Sequence, residues 1–196
     1  LKHPVLIEGL PGIGNVGKVT ADFIIDQLKA KNIFEFHGRS IPHSVFVTEK
    51  KLVELPRIEL FAVKAKHRDI LFLAGDVQPL SEEACFEFCE LVLHVCKDLG
   101  CKDIIALGGI GLKQVPKNPK VYCTGTEKAT VQAFVKATGV SNKLYGVVGP
   151  IIGVSGVIVG LAGREKMANI ALLAETFGHP MYLGIKGAKE LLKVLN

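Results

Sequence analysis

Apolar residues in this chain follow two rhythms that alternate. Val5-Leu6-Ile7, Ile70-Leu71-Phe72-Leu73-Ala74, Ile104-Ile105-Ala106-Leu107 and the stretch from Asn169 to Ala174 are compact apolar runs, bounded by glycine or charge. Such runs predict strands covered on both faces, as in parallel sheets. Between them the apolar spacing becomes helical. Val16 to Lys29 places Val16, Val19, Phe23, Ile24 and Leu28 on one face. The helix predicted to end at Leu99 opens on Ser81 as N-cap, with Glu82 and Glu83 near the positive end of its dipole, and stops at Gly100. Glu127 to Ala137 and Lys186 to Leu195 are further helices.

Other segments read as edges and turns. Ile33 to His37 and Lys120 to Thr124 are candidate strands, and the alternation from Ile58 to Ala65 predicts an antiparallel or edge strand. Ser44 to Thr48 and Leu52 to Leu55 flank Glu49-Lys50-Lys51 as a hairpin, and Lys113 to Lys120, with two prolines, is an exposed loop. Strands alternating with helices imply an α/β fold: a mixed, mainly parallel central sheet flanked by helices. With no repeat or linker in view, residues 1–196 are expected to form one domain.

The uncharged stretch from Leu144 to Gly163 has the length of a membrane span. Gly149-Pro150 would break such a helix, so the expectation is a strand, a turn over Gly149 to Gly153 and a buried helix from about Val154, without membrane insertion. Gly153, Gly156, Gly160 and Gly163 would line one side of it, packed against the sheet or another subunit.

Composition narrows the function classes. A hydrophobic fraction of 48% excludes a disordered chain. The net charge of +5 is scattered, with no basic tail or aromatic-studded basic helix, so no nucleic-acid partner is expected. Five cysteines and no visible signal peptide suit a reducing compartment, the cytoplasm. Cys85, Cys89 and Cys96 share one helical face with Phe88, Val92 and Leu99, which reads as buried thiols and not as a metal centre.

Two features carry candidate chemistry. Gly12-Ile13-Gly14-Asn15-Val16-Gly17 follows a strand, opens a helix and fits a phosphate-binding G-x-G-x-x-G, with Glu35 placed as a ribose acid. Gly9-Leu10-Pro11 intervenes, however, and Pro11 removes a donor, which favours a tight structural turn. The second feature is polar residues at the ends of apolar strands: Glu8, Asp76 and Glu175-Thr176. Ligands collect outside the carboxyl ends of parallel strands. If these strands are parallel neighbours, the three acids share a rim with the Gly12 and Gly108 loops, where repulsion would raise at least one pKa or require a cation. Such a rim could hold a metal, a sugar or an amine; equally, the acids could cap loop amides. His43 and His179 read as incidental loop histidines.

Taken together, five ordered motifs resemble the proteasome assembly chaperone family in its archaeal single-domain form. They are Pro4 to Gly17, Leu73-Ala74-Gly75-Asp76-Val77-Gln78-Pro79, Ala106-Leu107-Gly108-Gly109, Gly149-Pro150-Ile151-Ile152-Gly153-Val154-Ser155-Gly156, and Leu173-Ala174-Glu175-Thr176. The resemblance implies a fold like the phosphorylase and nucleoside-hydrolase group without its catalytic residues. It also implies a non-catalytic oligomeric chaperone or adaptor that binds copies of itself and proteasome α-subunits, with no cofactor. Some relatives carry an ATP-grasp label, but no set of metal-chelating acids with a partnering lysine is visible here. Members that dock on the proteasome often end in a hydrophobic residue, Tyr and any residue; here Val194-Leu195-Asn196 has Leu in the Tyr position, which speaks against docking through the C-terminus and leaves either a different partner or binding through another surface. Rim and motifs together nominate a ligand pocket of Glu8, Gly12, Gly14, Asn15, Gly17, Asp76, Gln78, Gly108, Gly109, Ser155, Glu175 and Thr176. The alternative is a hydrolase or transferase acting on a nucleoside-like or phosphorylated small molecule, with Glu8, Asp76 and Glu175 as acid, base or ribose ligands.

Overall fold

The computed structural model describes residues 1–196. Along the chain lie β1 (Val5–Gly9), α1 (Val16–Gln27), β2 (Lys31–Phe36), β3 (Phe46–Val47), β4 (Val53–Glu54), β5 (Ile58–Val63), β6 (Ile70–Gly75), α2 (Glu82–Asp98), β7 (Asp103–Leu112), β8 (Val121–Thr124), α3 (Lys128–Thr138), α4 (Val154–Arg164), β9 (Ala168–Phe177) and α5 (Ile185–Leu195). Seven strands form one sheet in the order β2-β5-β6-β1-β7-β9-β8. Its centre, β6-β1-β7-β9, is parallel; β5 and β2 on one side and β8 on the other pair antiparallel. β3 and β4 form a separate hairpin. The mixed, centrally parallel sheet is the one the alternating pattern predicts.

Alternation along each strand divides the core between the two sheet faces. Leu6, Leu71, Leu73 and Ile104 point to α2 and α4, where they meet Cys89, Val92, Cys96, Val154 and Ile158. Ile7, Phe72, Leu107 and Leu172 point the other way, to Val16, Val131, Ala188 and Leu191 of α1, α3 and α5. Ser81 caps α2 as expected, its Oγ accepting from the Ala84 N–H at 3.1 Å. All five cysteines are buried free thiols.

Four local expectations need correction. Gly108 to Gly111 is not a loop: β7 continues through it, held by the ladder from Gly108↔Leu173 to Leu112↔Phe177. Neighbouring strands there override the poor strand preference of glycine. No strand forms over Leu144 to Val148, where Tyr145 and Val148 make only an isolated bridge and Gly146 turns the chain at φ 79°. The glycine side of α4 does not face the sheet. Val154, Ser155, Ile158, Val159, Leu161 and Ala162 are buried instead, while Gly156 meets Ile151, Gly163 meets Thr126 and Gly160 is open. Finally, α1 buries Val16, Gly17, Thr20 and Ala21 and leaves Phe23 and Leu28 half exposed. The helix lies so close that a Cβ on Gly17 would run into the Leu107 backbone, so its larger residues are displaced to the flanks.

Candidate functional site

Beyond the carboxyl end of β1 the chain must turn sharply to enter α1. Ile13–Asn15 form a single 3-10 turn in which Gly14 and Asn15 both have positive φ, 61° and 50°. A side chain at Gly14 would also strike Thr176, whose buried hydroxyl lies directly beneath and has no hydrogen-bond partner. The loop is fastened by Gln78, which follows β6. Its Nε2 donates to the Pro11 carbonyl, and its Oε1 accepts from the Val154 N–H at 2.9 Å. One amide side chain thus ties the glycine-rich turn to the N-terminus of α4, a terminus whose own N-cap, Gly153, offers no side chain.

Glu8 lies under this strap. It is fully buried, and Oε1 accepts from the Leu10 N–H at 2.9 Å. The Ser155 hydroxyl is close enough to favour the carboxylate, but its proton is directed at the Leu107 carbonyl, 3.4 Å away, and Oε2 has no partner. Burial therefore dominates and raises the Glu8 pKa to about 7, against the smaller opposing pull of the Leu10 N–H and Ser155.

A cavity of about 580 Å³ opens beside the strap. One wall is Leu10, Gly12, Ile13 and Gly17, the floor is Leu107 to Gly111 with Leu173, and the far wall runs from Val147 to Gly153 with Ser155. Of the residues nominated from sequence, Gly12, Gly17, Gln78, Gly108, Gly109 and Ser155 line it. Glu8 sits behind Leu10 and Ser155, Gly14 and Asn15 shape the turn without lining the cavity, and Thr176 supports the turn from below.

The other two acids lie outside this cavity. Asp76 Oδ2 accepts from the Arg57 N–H at 3.1 Å, and its Oδ1 stands 3.9 Å from Lys18 Nζ. Glu175 accepts from the Lys120 N–H at 2.9 Å and from the Tyr122 hydroxyl at 3.3 Å. Both cap loop or edge-strand amides, the second of the two readings open from sequence. The strands are parallel as supposed, but register separates the acids. Glu8 is level with Leu73 and Ala106, and Ala106 is level with Ala171. Asp76 and Glu175 therefore stand about 10 and 13 Å further along the strand direction. The apolar far wall, Val147 to Ile152, is absent from the pocket nominated from sequence, although Gly149 to Ile152 belong to one of the five motifs and to the charge-free stretch. No group of three or more His, Cys, Asp or Glu comes together in a way that could hold a metal ion, and no helix is long and apolar enough to cross a membrane.

A mixed sheet between two helical layers, with a glycine-turned loop strapped to a helix N-terminus at its rim, defines a three-layer α/β protein. The chain belongs to the PAC2 family, whose model matches residues 6–196. It superposes with a TM-score of 0.90 on Pyrococcus furiosus PbaB, an archaeal proteasome activator, at 28% identity, covering 100% of this chain and 83% of that one. Pyrococcus furiosus PbaA, an archaeal homolog of proteasome-assembly chaperone, matches in fold with a TM-score of 0.82 at 24% identity, over 100% of this chain and 77% of its own. An uncharacterized protein of Methanocaldococcus jannaschii is 28% identical over 128 residues, 65% of this chain. The match spans about half of that relative, 49% of its length. The family resemblance carried by the five ordered motifs is thereby borne out.

Proposed function

We propose that this protein is a non-catalytic chaperone or adaptor of the cytoplasm that assembles with copies of itself and engages proteasome α-subunits. The observation that carries the reading is the likeness to PbaB over the whole of this chain, at an identity that extends beyond shared fold. The site is consistent with it in that Gln78 holds Pro11 and Val154, Glu8 Oε1 holds Leu10, and Ser155 bonds the Leu107 carbonyl, although Glu8 Oε2 and the Thr176 hydroxyl are left without partners.

The β3–β4 hairpin supports the self-association. Val45, Phe46, Val47, Leu52, Val53 and Leu55 are all more than two-fifths exposed on a hairpin with two residues in each strand. An isolated hairpin of that size is marginal in water, and so concentrated an apolar surface needs cover. A second copy of the chain is the partner always present to supply it.

The test is a tagged chain incubated with purified α-subunits, with recovery read by pull-down and stoichiometry by native mass spectrometry. Co-recovery of an oligomer of this chain with α-subunits supports the proposal. A monomer that recovers none overturns it.

A further inference from the structure

The C-terminal end of α2 brings two cysteines together. The helix closes through Gly100, at φ 80°, with the Gly100 N–H donating to the Lys97 carbonyl and the Cys101 N–H to the Cys96 carbonyl, both at 2.8 Å. This pair of bonds is the Schellman arrangement, in which the side chain of the residue after the glycine packs on that of the residue giving the outermost carbonyl. Apolar residues normally make this contact; here both positions are cysteine. Both thiols are buried, at 0% and 3% exposure. The two thiols influence each other's titration, Cys96 upward and Cys101 downward, and the Cys101 thiol donates to the Asp103 carbonyl at 3.3 Å.

Cys85 and Cys89 also influence each other's titration, but no other thiols share this helix-end geometry. Cys85 and Cys89 stand one turn apart within α2, and Cβ atoms at that spacing are about 5–6 Å apart, beyond the 3.5–4.5 Å of a disulfide. Cys123 belongs to the core on the other face of the sheet.

We propose that Cys96 and Cys101 are a redox modification site that closes into a reversible disulfide, stapling the end of α2 to the start of β7. With hydrogen peroxide as oxidant, the Cys101 thiolate attacks one peroxide oxygen and releases hydroxide, giving a sulfenic acid. The Cys96 sulfur then displaces that oxygen as water, and the S–S bond forms. Overall two thiols lose two electrons and two protons, and the peroxide becomes two waters. A dithiol reverses the step by exchange. Access comes through fraying of the helix end, where Gly100 and Lys102 are exposed on either side of Cys101.

The experiment uses the full chain, reduced, exposed to peroxide under native conditions, then denatured and alkylated for intact-mass and peptide mapping. The expected product is lighter by two hydrogens before alkylation, carries one cross-link between the peptides holding Cys96 and Cys101, and alkylates at Cys85, Cys89 and Cys123. Dithiothreitol restores all five sites. Cys96→Ala should stop at a dimedone-reactive Cys101, and its absence would assign the first step wrongly. A cross-link between any other pair, or five alkylated thiols in a chain whose circular dichroism remains native, overturns the proposal without recourse to a variant.

Discussion

Glu8 concentrates the unusual electrostatics of this protein in one side chain. A carboxyl group in a central strand, with one oxygen unpartnered, is easier to keep protonated than charged. Its neighbours on this face of the sheet, Cys85 and Cys89 of α2, offer no cation, and their own pKa values are raised chiefly by burial and further by Glu8. In the unfolded chain Glu8 titrates near 4.5; in the folded chain it does so at about 7. Between these values the native state binds a proton that the unfolded state has released, so stability falls as pH rises through that window and levels off above it. Glu8→Gln keeps an acceptor for the Leu10 N–H and never acquires charge. At pH 8 it should be more stable than the parent by about 3 kcal/mol, the advantage shrinking toward pH 5. Urea unfolding of both proteins at the two pH values is the measurement, and parallel pH profiles would remove Glu8 from the account. Asp69 does not confuse the comparison: the Lys2 N–H is the main influence lowering its pKa, so its contribution is lost only at more acid pH.

Elements of this fold were legible where one rhythm held for a full segment. Runs such as Ile70 to Ala74 became buried strands because nothing in them satisfies water on either face, and α2 began and ended at its Ser81 and Gly100 signals. Legibility failed where glycine removed the rhythm. Gly108 to Gly111 is strand because β9 pairs with it, a property of the neighbour that local sequence does not carry. Gln78 shows the same limit at the site: it was nominated only as part of a motif, and its role depends on three segments meeting. The strap gives a definite expectation. Gln78→Ala leaves the Val154 N–H and the Pro11 carbonyl without side-chain partners and should lower stability by about 1–3 kcal/mol. Hydrogen exchange should speed up at the start of α4 before it does in β1 or β7. Gln78→Glu can still accept from Val154 but cannot donate to Pro11 when ionised, and should fall between the two. Equal exchange at Val154 in all three proteins would mean that the strap does not hold the helix end.

For the whole molecule, the family was legible from the order of its motifs, whereas the convergence of three acids was not, because register along parallel strands is set by packing on both faces. The hairpin belongs to this scale too. Its sequence announced two strands, but not that six apolar side chains would stand away from the main sheet. Because β3 and β4 pair only with each other, substitutions there should leave the seven-stranded sheet untouched. Val47→Lys with Val53→Lys places two charges on a cross-strand pair that, on the proposed reading, a second copy covers. Covering an unpaired lysine is unfavourable enough to weaken association at least about tenfold, roughly 1.4 kcal/mol. Light scattering coupled to size exclusion should therefore show the oligomer giving way to monomer, with the thermal unfolding of the core unchanged. If the oligomer persists while capture of α-subunits is lost, the hairpin is the surface for the proteasome, and the contact between copies lies elsewhere. If neither changes, the hairpin serves neither contact.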